Sequence, residues 1–101
     1  MKHFIISLHY MKPIEEIDRH LVEHREYLDK GYEDGILMAS GPKNPREGGI
    51  LLGRSETLES MKDFCLNDPF SIHSCARYEF TEFIPVKFQE EFKTWFHPDL
   101  S

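Results

Sequence analysis

The chain has 101 residues, 40% hydrophobic and 13% aromatic, with eight Phe and four Tyr. That is one domain's worth of sequence, too rich in core-forming side chains for a disordered chain. Eighteen acidic against twelve basic residues give a formal charge of −6, and no stretch gathers Lys and Arg into a stripe, which argues against nucleic acid as a partner.

Lys2 to Tyr10 alternates with a period of two, Phe4, Ile6, Leu8 and Tyr10 on one face and Ile5, Ser7 and His9 on the other, which predicts a strand. Pro13 then opens a helix at a position where its missing N–H costs nothing, and Glu15 and Glu16 suit the positive end of the helix dipole. Ile14, Ile17, Leu21, His24 and Leu28 follow at spacings of 3, 4, 3 and 4, an apolar stripe in which His24 holds a place the pattern gives to leucine. The helix ends near Gly31 or Gly35. Ile36 to Ser40 is a short apolar strand stopped by Gly41-Pro42, Lys43 to Gly49 is a polar loop, and Ile50 to Ser55 pairs back across it as a hairpin.

Ser55 or Thr57 caps a second helix carrying Leu58, Met61 and Phe64 or Cys65; it stops before Asp68-Pro69 because the residue preceding proline is pushed out of the α region. Cys75 to Ile84 alternates Ala76, Tyr78 and Phe80 with Arg77, Glu79 and Thr81, a fourth strand ended by Pro85. Val86 to Phe96 reads as an amphipathic helix with Phe88, Phe92, Trp95 and Phe96 at i, i+4, i+7 and i+8, suited to closing its own core or to touching a partner subunit.

The order β-α-β-β-α-β predicts a ferredoxin-like α+β fold, an antiparallel sheet with two helices on one face. We expect a single domain over residues 1–101, with 86–101 as a C-terminal amphipathic extension forming an extra helix. A domain this small buries only about 60–65% of its unfolded surface, and its other sheet face needs a cover, so a homodimer is expected. The longest wholly apolar run, Ile36 to Ala39, is far short of the ~20 residues that span a bilayer, so no membrane partner is expected. Met1 to Ser7 lacks a small-residue cleavage site, which predicts a cytoplasmic chain.

Cys65 and Cys75 are the only thiols and are expected as reduced, buried side chains. Together with His73 they lack zinc-site spacing and a fourth ligand. His20-Leu21-Val22-Glu23-His24 matches the HxxEH pattern of inverted zinc proteases, but a helix supplies only two of the three ligands a catalytic zinc needs, so no metal and no stoichiometric zinc are expected. His24 is either a satisfied core histidine or half of a proton-transfer pair. Its candidate partner is Asp68, which Asn67-Asp68-Pro69-Phe70 places just after the second helix; a carboxylate on one imidazole nitrogen fixes the tautomer and raises the basicity of the other. Ser7, His9 and Ser40 are expected to supply hydrogen bonds to a pocket, and Lys43 and Arg46, beside Gly48-Gly49, either hold an anionic substrate group or are solvated loop charges.

His24-Arg25-Glu26-Tyr27-Leu28 with Gly31, then Ala39-Ser40-Gly41-Pro42, Gly48-Gly49 and Asn67-Asp68-Pro69-Phe70, together resemble the YciI-like family, or YCII-related domain, over nearly the whole chain to Pro85. The resemblance implies a dimeric α/β barrel in which two ferredoxin-like sheets face each other. It implies that His24 and Asp68 are the catalytic pair and that Ser40, Gly41 and Pro42 line the pocket. The implied function is a small-molecule enzyme of isomerase or lyase type that moves a proton without a cofactor. Two alternatives stand beside it: dehydrochlorinase-type elimination on a hydroxylated aromatic, to which the family's similarity extends, and a non-catalytic ligand-binding or dimerisation module.

Overall fold

The computed structural model describes residues 1–100. Four strands, β1 (Lys2–Tyr10), β2 (Leu37–Pro42), β3 (Gly48–Ser55) and β4 (Ala76–Phe83), form one antiparallel sheet in the order β2-β3-β1-β4. This is the ferredoxin-like α+β arrangement. The period-two pattern of β1 fixes its register: Ile6 lies between Leu51 and Phe80, and Leu8 between Gly49 and Tyr78. Gly48 is demanded by this pairing, because a Cβ there would stand 1.8 Å from the carbonyl oxygen of Leu8.

Helices α1 (Ile14–Arg19), α2 (Leu21–Glu33), α3 (Leu58–Leu66) and α4 (Pro69–Ile72) supply Ile17, Leu28, Met61, Cys65 and Phe70 to a core shared with Phe4, Ile6, Leu8, Leu37 and Leu51 of the sheet. The single helix expected from Pro13 is broken at His20, whose backbone leaves the α region at φ −110° and ψ 5°. Neither Gly nor Pro marks the break; tertiary contacts accompany it, since the His20 ring stacks on His73 at 3.9 Å. Gly35, at φ +72°, turns the chain out of α2 in the left-handed conformation that favours glycine. Thr57 caps α3 by accepting from the Ser60 N–H at 3.0 Å. The one-turn α4 was not anticipated: Pro69 occupies its first turn and Asp68 is its N-cap.

The extra C-terminal helix is present, but shorter than the aromatic pattern over 86–96. The extra helix, α5, is the single turn Lys93–Phe96, between 3-10 turns at Glu90–Phe92 and Pro98–Leu100. Pro98 disfavours helical backbone just beyond it, and so short a helix lacks the length to be stable on its own. Tertiary contacts hold the segment instead: the Arg54 guanidinium lies 3.7 Å from the Trp95 ring centroid and donates to the Trp95 carbonyl at 2.7 Å, while Phe96 packs on His3 at 5.0 Å. His3 and Arg54 are cross-strand partners on the sheet face away from the core, so the tail covers one end of that face.

Candidate active site

The stripe that placed His24 among leucines buries it: it is 8% exposed, in line with Leu28 and Gly31 on α2. Asp68, 1% exposed, reaches it from the junction of α3 and α4. Proline holds Asp68 extended, at ψ 133°, so its carboxylate turns back over the start of α4. There Oδ1 accepts from the Phe70 N–H at 3.0 Å, Oδ2 accepts from the Tyr78 hydroxyl at 2.6 Å, and His24 Nδ1 lies 2.8 Å from Oδ1 and 3.0 Å from Oδ2. A carboxylate accepts, so the hydrogen sits on Nδ1 and the lone pair of the neutral ring on Nε2. The ring is also stacked on Phe70, 3.9 Å away and 6° from parallel. Nε2 has no hydrogen-bond partner among the described residues.

His24 lines a cavity of about 260 Å³ with Leu8, Tyr10, Arg25, Ser40, Arg46 and Phe70 in its wall. Gly41, Pro42 and Gly49 contribute to the same wall from the β2–β3 hairpin. A dry cavity of ~150 Å³ accepts benzene, so this space has room for a substituted single ring. Strand alternation sends Ser7 and His9 to the other sheet face, and Leu8 and Tyr10 stand where those two were expected. Lys43 also lies off the cavity wall, its Nζ 3.5 Å from His9 Nδ1. Arg46 does reach the wall, but Nη2 is paired with Asp18 Oδ1 at 2.7 Å and the guanidinium lies 5.9 Å from the Tyr10 ring centroid. Ser40 accepts or donates at 2.6 Å to the Tyr32 hydroxyl.

The family model of the YCII-related domain matches residues 1–84. The chain belongs to the YCII-related domain family. A search of curated proteins returned no match. Among solved structures, this YCII-related chain is similar to the 5-chloro-2-hydroxyhydroquinone dehydrochlorinase TftG from Burkholderia phenoliruptrix AC1100, in complex with 2,5-dihydroxybenzoquinone. The TM-score is 0.67 at 16% identity, covering 88% of this chain and 97% of that one, a likeness of fold.

Three residues at or beside the candidate site were given no role from the sequence. Tyr78 looked like one more apolar position of β4; its signal was a polar tip on a core-facing ring, which needs a partner when buried. Burial first, then the Asp68 carboxylate, pushes its phenol far up, so it serves Asp68 as a donor. Tyr27 behaves alike, pushed up to about 12 by burial and then Asp68, and donates to the Phe64 carbonyl at 2.5 Å. Arg25, which the sequence reading named only within the family-like run His24 to Leu28, is exposed at the cavity and has no ion pair or hydrogen bond among the described residues. A second hollow of about 310 Å³, between α3, α4 and β4, includes Cys65 and Tyr78. Of its titratable groups besides Lys62, Tyr78 is held by Asp68, and burial holds the Cys65 thiol up at about 12.

Proposed function

We propose that this YCII-related protein is a small-molecule enzyme in which His24 Nε2 is the general acid/base and Asp68 its orienting partner. The observation that carries this reading is the asymmetry of the imidazole: Nδ1 is fixed by Asp68 at 2.8 Å, while Nε2 has no partner among the described residues and the residue borders the cavity. In the reaction Nε2 takes a proton from a C–H or O–H of the substrate; the electron pair left behind either moves a double bond or expels a leaving group, and the imidazolium returns the proton to product or water. Such transfer contributes roughly 10²–10⁴-fold, and positioning in the cavity supplies the remainder.

The substrate class follows from the wall. Tyr10 and Phe70 offer ring faces, Ser40 a hydroxyl, and Arg25 an uncommitted cation, a combination suited to a hydroxylated or carboxylated ring carrying negative charge. Elimination of chloride from a hydroxylated aromatic is the specific alternative favoured by the fold likeness to TftG. We further propose that two copies pair through the sheet face away from the helices.

2,5-Dihydroxybenzoquinone and chlorinated hydroxyhydroquinones serve as probes. Saturable binding that perturbs the His24 ring signals in NMR, with turnover lost in His24→Asn, supports the enzyme. Asn keeps an N–H for Asp68 and lacks the basic nitrogen. Probe binding undiminished in His24→Asn, with no turnover by the native chain, favours a ligand-binding module.

A further inference from the structure

We propose that His20, Glu23 and His73 bind a divalent cation of the zinc class, at a site of their own beside the His24–Asp68 pair. The HxxEH pattern does not act as a unit, since His24 is not among the ligand atoms that lie together with those of His20 and Glu23. Its first two members are nevertheless joined by a third ligand from a distant element. His20 is the N-cap of α2 and Glu23 lies three residues on, the spacing that puts side chains on one helical face. His73 is the C-cap of α4, 50 or more residues along the chain. One potential ligand atom from each of the three lies within 4.8 Å of the others.

Zinc holds nitrogen at ~2.0–2.1 Å and carboxylate oxygen at ~2.0–2.2 Å in tetrahedral geometry, so donors on one ion stand about 3.4 Å apart. Side-chain rotations must therefore close the cluster by up to about 1.4 Å from its 4.8 Å spread. The two rings now stack at 3.9 Å and 14°, so each must turn about its Cβ–Cγ bond for their planes to converge on one ion. That torsion is broad for histidine, and Glu23 and His73 are exposed, with room to move. Two imidazoles and one carboxylate suit zinc, nickel or copper rather than magnesium or calcium, which prefer oxygen. Glu16 Oε1, 3.5 Å from His20 Nε2, adds negative charge beside the cluster, partly offset by Arg19 at 3.0 Å from Oε2. Three ligands at the surface leave a coordination position for water and make the ion exchangeable, so the site is filled by added metal and emptied by chelators.

The bound ion would clip α2 to α4, the elements that carry His24 and Phe70. The inference does not rest on the catalytic reading, because its readouts are stoichiometry and melting. EDTA-treated, desalted full-length chain is titrated with zinc chloride by calorimetry. One zinc per chain is expected, where the sequence alone led to an expectation of none, with Tm raised by about 5 °C or more at saturation and no response to magnesium. Removing even an outer partner of a metal ligand costs ~10–100-fold in affinity. His20→Ala and His73→Ala should therefore each weaken binding at least tenfold, and Glu23→Gln in the same direction, while His97→Ala leaves it unchanged. No saturable binding by the native chain, or full-strength binding that survives His73→Ala, overturns the site. Melting of the metal-free variants, run alongside, separates loss of a ligand from loss of fold.

Discussion

At the scale of residues, Asp68 and His24 differ in what they hold. Asp68 accepts from His24, Phe70 and Tyr78 with 1% of its surface exposed. Asp68→Ala would strand three buried donors, costing about 3–5 kcal/mol in urea unfolding. Asp68→Asn keeps the volume but presents an amide that can donate toward Nδ1, favouring the wrong tautomer; turnover should fall ~10²-fold or more at modest cost in stability. His24 is buried and stacked on Phe70, so His24→Ala combines a structural loss with a chemical one. His24→Asn, retaining the Asp68 bond, separates the two: unfolding free energy within about 1.5 kcal/mol of the native chain, with turnover abolished. Cys65 and Cys75 are 3% and 0% exposed, and burial pushes both thiols up, Cys65 to about 12. Neither should react with Ellman's reagent near pH 8 until the chain is unfolded in urea.

At the scale of elements, the C-terminal turn is held by a titratable contact. His3 is pulled below its ordinary value of 6.5 by burial first, then by the N-terminal ammonium and Arg54, and less by His97, against a raising hydrogen bond with the Phe96 backbone. Because the undocked histidine takes up a proton more readily than the docked one, the contact is fully present above 6.5 and weakens as pH falls below it through the docked value. Trp95, the single tryptophan, reports this directly. Its emission should shift to the red as pH falls below about 6.5, and the shift should vanish in His3→Gln. The β2–β3 hairpin has a steric constraint instead: Gly48→Ala drives a methyl to 1.8 Å from the Leu8 carbonyl oxygen, and loss of more than about 3 kcal/mol, measured by thermal melting, is expected.

At the scale of the molecule, the helices cover one face of the sheet and the tail only one end of the other. Ile5 remains 37% exposed there and Phe83 39%, with Leu52 half-buried opposite Ile5. A second copy laid against that face would shelter them. Light scattering should give a mass near twice 12.0 kDa, and a concentration-independent mass of 12.0 kDa would exclude the pairing. No helix among the described residues is long and apolar enough to cross a membrane.

Periodicity and turn chemistry by themselves determined the order of the four strands and the two helical segments between them, the inward face of β1, the stop at Asp68-Pro69 and the anomalous histidine in an apolar stripe. These are local properties: which side of an element is buried is written within a few residues of it. The tertiary structure decided the rest. His24 and Asp68 are 44 residues apart, and only packing brings them to 2.8 Å. Packing also recruits Tyr78 as a donor to Asp68, ties Arg46 to Asp18 while leaving Arg25 uncommitted, and stacks His20 on His73. The tail shows the limit from the other side: its aromatic spacing is helical, yet Pro98 and the contacts with Arg54 and His3 reduce it to one turn. A hydrophobic period states that a side chain will be buried; which partner it meets depends on elements folded against it from far along the chain.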